Sequence, residues 1–189
     1  MSGDFRSARH WARELIEDAM FPGATAIDAT MGNGHDTKWL CELAGENGMV
    51  YAFDVQKQAV ENTAKRLEDA NLSSRARLFH AGHERMTEFV EGSADAIVFN
   101  LGWLPGGEKN ITTLTDTTLR AVDAASSLLA PGGVMTICVY PGHAEGAKER
   151  DSVIEWASSL PCAVFDVMMK RYLNQPNDPP LMIAVRRRP

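Results

Sequence analysis

The sequence predicts an α/β fold: a seven-stranded, mostly parallel sheet with helices on both faces and an antiparallel hairpin at its C-terminal end. Three observations predict it. From residue 24 onward short apolar runs alternate with amphipathic stretches, and repeated strand–helix units require right-handed crossovers that cover both faces of a parallel sheet. The first of these strands turns sharply on Gly32 and Gly34 into a helix. The last two apolar runs have no helix between them, only the turn-forming stretch Asn174-Gln175-Pro176-Asn177-Asp178-Pro179-Pro180.

Ala8, Trp11, Ala12, Leu15, Ile16 and Ala19 recur at helical spacing, so the chain opens with an amphipathic helix ended by Pro22-Gly23. A strand is predicted over 24–30, a helix from His35 to Leu43 stopped by Gly45 and Gly48, and a buried strand from Met49 to Phe53 ending at Asp54. Residues 57–70 read as a helix with Ala59, Val60, Ala64 and Leu67 on one face, Ala76 to His80 as a strand, and 84–91 as a short helix. Asp95 to Asn100 is the next strand, followed by a Pro/Gly loop from Gly102 to Gly107. Thr113 and Asp116 stand at capping-box spacing, which predicts a helix over 114–129 with Thr113 as its N-cap and Pro131-Gly132-Gly133 as its end. Val134 to Tyr140 is a strand, 146–159 a helix, and Ala163 to Tyr172 and Leu181 to Arg186 are the closing pair of strands.

A chain of 189 residues, 44% hydrophobic and 23% charged, suits one domain: an N-terminal helix over 1–22, a core over 24–145, and the last helix with the hairpin over 146–189. No apolar run approaches the roughly 18 residues of a membrane span, and the N-terminus is polar and amphipathic. No membrane partner is expected, and the cytoplasm is the expected compartment. Cys41, Cys138 and Cys162 are far apart and form no CxxC, so neither a disulfide frame nor a metal site is indicated. The net charge of −6 argues against gripping nucleic acid over a broad surface, although Lys170-Arg171 and Arg186-Arg187-Arg188 could form a local basic patch.

The run from Asp28 to Asp36 is the candidate ligand cradle. A strand that turns on glycine into a helix brings backbone N–H groups and a helix N-terminus against a nucleotide-like ligand, with Thr30, Met31, Gly32, Asn33 and Gly34 around it. Thr37, also a candidate contact, stands where a dinucleotide fingerprint needs its third glycine, which disfavours NAD. In open α/β sheets the ligand lies beyond the carboxyl ends of the strands, so the residues ending the first, second and fourth strands should converge. Asp54, 20 positions after Gly34, is placed to accept hydrogen bonds from a ribose diol; Val55 and Gln56 would flank an adenine, with Gly82, His83 and Glu84 beside the ring. A sulfonium cofactor carries a positive charge and an amino-acid tail but no phosphate. Its site therefore tolerates Asp28 and Asp36, either of which could meet the ammonium of a methionyl moiety; His35 shapes the turn or faces solvent.

Asn100-Leu101-Gly102-Trp103 resembles a relaxed Asn/Asp-Pro-Pro-aromatic motif of amino-group methyltransferases, with Leu101 and Gly102 in place of the prolines. That motif positions the acceptor: the Asn100 side-chain oxygen and the Leu101 carbonyl accept N–H bonds and aim the nitrogen lone pair at the methyl, while Gly102 belongs to the loop and Trp103 stacks on a base. The alternative is a plain Gly/Pro loop with Trp103 filling core.

DATMGNGHDT at 28–37, NLGWLPGGEKNITT at 100–113 and YPGH at 140–143 together resemble the small bacterial proteins labelled rRNA methylases, over nearly the whole chain. These are class I methyltransferases of Rossmann-like fold and include the tRNA 5-aminomethyl-2-thiouridylate methyltransferases. The resemblance implies S-adenosylmethionine as donor, the aminomethyl group of a wobble uridine in a tRNA anticodon arm as acceptor, and a homodimer. Tyr140 and His143 would lie on the substrate side, with His143 a candidate base, and Lys109, Thr112 and Thr113 would line the acceptor mouth or touch a phosphate. Other readings are an rRNA or small-amine methyltransferase, an NAD-dependent oxidoreductase, and a non-catalytic cofactor-binding or RNA-binding protein.

Overall fold

Strands covered on both faces read as continuous apolar runs, and the central strands of this protein do so because helices pack against each side of the sheet. The computed structural model describes residues 7–103, 112–142 and 144–189. Its helices are α1 (Ala8–Ala19), α2 (His35–Ala44), α3 (Lys57–Asp69), α4 (Thr115–Leu128) and α5 (Ala144–Ser159). Its strands are β1 (Thr25–Asp28), β2 (Met49–Asp54), β3 (Ala76–His80), β4 (Ala94–Asn100), β5 (Leu129–Val139), β6 (Phe165–Lys170) and β7 (Leu181–Arg187). Together they form one seven-stranded sheet in the order β3-β2-β1-β4-β5-β7-β6.

Side chains alternate across each strand, so neighbours serve opposite cores. Ile27, Phe53, Ile97, Phe99 and Ile137 pack with Val122 of α4 and Val153 of α5 on one face. Ala26, Val50, Ala96 and Val98 pack with Ile16 of α1, Leu40 of α2 and Leu67 of α3 on the other. Reversal of the strand order between β1 and β4 opens a crevice above their carboxyl ends, and Asp28, Asp54 and Asn100 close the three strands that meet there.

The terminal hairpin forms, but β7 lies inside the sheet, antiparallel to both β5 and β6. The outermost strand, β6, therefore runs with the parallel strands. Burial explains the order: Leu181 to Val185 of β7 are buried, whereas most of β6 is exposed. Pro131-Gly132-Gly133 does not end α4. It lies within β5 as an irregularity where pairing with β4 shifts from Ala94↔Leu129 to Ala96↔Val134. The short helix expected over 84–91 is a 3₁₀ helix, His83–Glu88. Thr113 does not cap α4: Leu114 holds the cap position with no side-chain bond. Instead the Thr115 N–H donates to Glu145 Oε1 at 2.9 Å, so α5 satisfies an orphan amide of α4.

Candidate active site

The cleft over the crevice has a volume of about 660 Å³, the size of a small-molecule site. Its wall includes Thr30, Met31, Gly32, Asn33, Asp36, Asp54, Val55, Gln56, His83, Asn100, Leu101, Gly102, Trp103, Thr112 and Tyr140, all expected from the sequence. Four expected contacts lie elsewhere. Asp28 is fully buried beneath the glycine turn, where Oδ1 accepts from the Thr30 N–H at 3.2 Å and Oδ2 from the Thr37 hydroxyl at 2.7 Å. It braces the turn, and Thr37, also fully buried, is its partner. Gly34 packs against α3: it has φ 76°, and a Cβ there would meet the Thr63 backbone at 2.9 Å. Gly82 is covered by the Glu84 carboxylate, and it is Glu84 that reaches the cleft wall. Lys109 and His143 lie outside the described residues.

At the end of β2, Asp54 ties the turn to the sheet. Oδ2 accepts from the Gly32 N–H at 3.1 Å and Oδ1 from the Gln56 N–H at 2.9 Å. Burial raises its pKa against those backbone hydrogen bonds. A carboxylate offers about four lone-pair sites, so acceptor capacity is left for a diol. Beside it the His83 ring nitrogen Nδ1 lies 3.2 Å from the Ala29 carbonyl, which can only accept; Nδ1 therefore carries the proton and Nε2 is the acceptor. Burial lowers the pKa of His83 and favours this neutral form.

At the end of β4, Asn100 is held at three points. Its N–H donates to Thr30 Oγ1 at 2.8 Å, Nδ2 donates to Asp36 Oδ2 at 2.8 Å, and the next residue, Leu101, donates its N–H to the Cys138 carbonyl at 2.9 Å. Asn100 Oδ1 is buried and has no hydrogen-bond partner among the described residues, and the same holds for Thr112 Oγ1. The outgoing and returning ends of the loop clasp each other: Gly102 and Thr113 exchange hydrogen bonds, and Trp103 bridges Thr112. Trp103 is 41% exposed, so it does not fill core. Burial pushes the Tyr140 phenol up to about 12, which keeps it protonated at neutral pH.

Sequence reasoning missed Arg9, Leu114 and Thr117 on the wall, and Arg13 and Glu149 behind it, whereas Glu84 stands on the wall as expected. Asp36 Oδ1 accepts from Arg9 at 2.8 Å and from Arg13 at 2.6 Å. Burial opposes its ionisation, but the two guanidinium groups outweigh that and hold its pKa below the usual carboxylate value. Among the described residues no cluster of His, Cys, Asp and Glu could hold a metal, and no helix is long and apolar enough to cross a membrane.

A family model described as "Putative rRNA methylase" matches residues 50–186. An Arabidopsis thaliana protein named "tRNA (mnm(5)s(2)U34)-methyltransferase, chloroplastic" is 38% identical over 96% of this chain and 70% of its own length. A Clostridium thermocellum structure described as a "putative rRNA-methylase" superposes with a TM-score of 0.95 at 36% identity, covering 97% of this chain and 99% of its own. A Streptococcus mutans structure, described as a "putative methyltransferase" in complex with SAH, superposes with a TM-score of 0.88 at 34% identity, covering 97% and 99%.

Proposed function

Because the chain belongs to the family described as "Putative rRNA methylase", we propose that its cleft directs a methyl group onto the aminomethyl nitrogen of 5-aminomethyl-2-thiouridine at the wobble position of tRNA. The coarser statement stands by itself: the protein is an S-adenosylmethionine-dependent methyltransferase acting on RNA, with the class I fold. The choice of nucleoside rests on the 38% identity over 96% of the chain to a relative named for that uridine.

S-adenosylmethionine supplies a methyl on a positively charged sulfonium, so the protein's task is alignment more than activation. The residues present fit such a donor. In our reading the backbone of the Met31 to Gly34 turn faces its amino-acid end, Asp54 accepts from the ribose hydroxyls, and Val55, Gln56 and His83 flank the adenine. Asn100 Oδ1 and the Leu101 carbonyl accept N–H bonds from the acceptor amine and turn its lone pair toward the methyl. Trp103 provides an exposed ring on which the base can stack, and Thr112 and Tyr140 border the same mouth. An alkylamine with an ordinary pKa of about 10.4 is almost wholly protonated at neutral pH. Desolvation in the cleft lowers that value, and His143 is our candidate for the proton acceptor because Tyr140 stays protonated.

We assign the reaction to the cytoplasm and the active form to a homodimer. The apolar side chains exposed on β6, Val167, Met168 and Met169, support self-association; a monomer mass by sedimentation at micromolar concentration would exclude it. The nucleoside assignment is tested by mass spectrometry of tRNA from a strain lacking the protein. Accumulation of the unmethylated aminomethyl nucleoside is the expected result. An intact tRNA profile with a methyl missing from ribosomal RNA would move the acceptor there.

A further inference from the structure

Asn and carboxylate groups differ in one respect that matters behind the acceptor side of the cleft. An amide presents either a donor or an acceptor on each side, depending on how it is turned, whereas an ionised carboxylate can only accept. Asp36, 7% exposed, places Oδ2 at 2.8 Å from Asn100 Nδ2. As long as Asp36 is ionised, the amide of Asn100 must turn its NH₂ toward it, and Oδ1 must face elsewhere.

The ionised state is built into the fold. Arg9 and Arg13 stand one turn apart on α1, on one face of the helix, and both direct guanidinium nitrogens at Asp36 Oδ1, at 2.8 and 2.6 Å. Arg13 is further fixed by stacking over Trp39, 4.6 Å from the ring centroid. Two cations against one carboxylate outweigh the cost of burying it, in line with the depressed pKa of Asp36. The backbone of Asn100 is pinned separately, by Thr30 Oγ1, so only the turn of the amide is left for Asp36 to decide.

We propose that Arg9, Arg13 and Asp36 are positioning residues that fix the orientation of the Asn100 amide, so that Oδ1 is the atom offered to the acceptor amine. This rests on the reading of Asn100 given above. It gives α1 a role in the reaction besides packing, and it assigns Asp36 to the acceptor side in place of the methionyl ammonium. In Asp36→Asn the partner amide can donate as well as accept, and Asn100 can turn over, setting its NH₂ where an acceptor is needed.

The test is a double-mutant cycle on the full-length protein, with undermodified tRNA from the deletion strain and radiolabelled S-adenosylmethionine. The proteins are the wild type, Asp36→Asn, Asn100→Ala and the double variant, with kcat, KM for tRNA and SAH affinity measured for each. Asp36→Asn is expected to lower kcat at least about tenfold, the worth of one misplaced hydrogen bond, with SAH affinity within about threefold of wild type. Added to Asn100→Ala it should lower kcat less than about threefold further, because the residue it acts through is gone. Equal losses in both backgrounds would overturn the relay while leaving the role of Asn100 intact. So would a parallel loss of SAH affinity, which would place Asp36 on the donor. Full activity in Asn100→Ala would instead remove the reading of Asn100 and the relay with it. Arg13→Gln, which leaves the carboxylate in place, serves as the second variant if Asp36→Asn folds poorly, and the same non-additivity with Asn100→Ala is required of it.

Discussion

Two aspartates at the ends of adjacent strands do different work, and burial decides which. Asp54 reaches the cleft wall with lone pairs to spare, and we expect Asp54→Ala to weaken SAH binding about a hundredfold by calorimetry, since it removes both the acceptors we propose for the diol and the brace on the Gly32 amide. Asp28 is fully buried and acts only through Thr30 and Thr37. Burial, with the charge of Asp36 nearby, pushes its pKa from 3.8 up to about 7. Between those values the native state holds a proton that the unfolded chain has released, so the stability contributed by Asp28 is complete below 3.8 and is lost as the pH rises through about 7. Asp28→Asn should therefore melt with a flatter pH dependence between about pH 4 and pH 7 than the wild type, with near-normal SAH binding. An unchanged slope by scanning calorimetry would show that another group carries the titration. Asp54 and Asn100 were legible in the sequence because strand ends at a switch point must converge, whatever the details. Asp28 was misread because a carboxylate beside a glycine turn looks the same in sequence whether it faces the ligand or the turn's underside.

Elements were legible in kind, while their joints were not. All seven strands fall where the sequence places one, but no pattern says that β7 slips between β5 and β6; that follows from β7 being the more apolar of the pair. Thr113 matched a capping box because the spacing is local, and lost to a contact from 36 residues away. Its hydroxyl accepts from the Gly102 N–H and donates to Glu149 Oε2 at 3.0 Å, while Glu149 Oε1 accepts from Thr118 at 2.6 Å. Glu149, 2% exposed, thus joins α5, α4 and the neck of the loop that follows β4. In the sequence it passes for one more acid on a solvated helix face; the signal was the threonine-rich run from Thr112 to Thr118, which needs acceptors when buried. Glu149→Ala leaves two hydroxyls without their acceptor and should cost about 3 kcal/mol of unfolding free energy in urea titration. Methyl transfer should fall with it at temperatures where the variant is folded, while SAH affinity holds; a stable variant with wild-type kcat would mean that the loop neck needs no anchor.

At the scale of the whole molecule the question is how a protein of net charge −6 holds an RNA. In the basic run at the C-terminus Arg188 is paired with Asp166 at 2.6 Å, Arg187 donates to the Leu129 carbonyl at 2.8 Å and Lys170 lies over the Trp11 ring, while Arg171 and Arg186 are exposed, so the patch is small. The cleft contributes an aromatic ring, Trp103, and hydrogen-bonding groups, and the one arginine on its wall among the described residues, Arg9, is tied to Asp36. On the proposed function such a surface would take up an exposed, unstacked nucleoside, as in an anticodon loop, more readily than a phosphate backbone. Counterion release makes this measurable, because log K falls against log salt with a slope of roughly −0.7 for each phosphate neutralised on a single strand. We expect a slope of about −2 for a tRNA anticodon arm, measured by fluorescence anisotropy across a salt series, corresponding to about three phosphates. Trp103→Ala should weaken binding about tenfold at every salt concentration, the scale of one lost base stack, without changing that slope. A slope near −10 would require a broad basic surface that this sequence does not supply, and would point to charge contributed by something other than the chain itself.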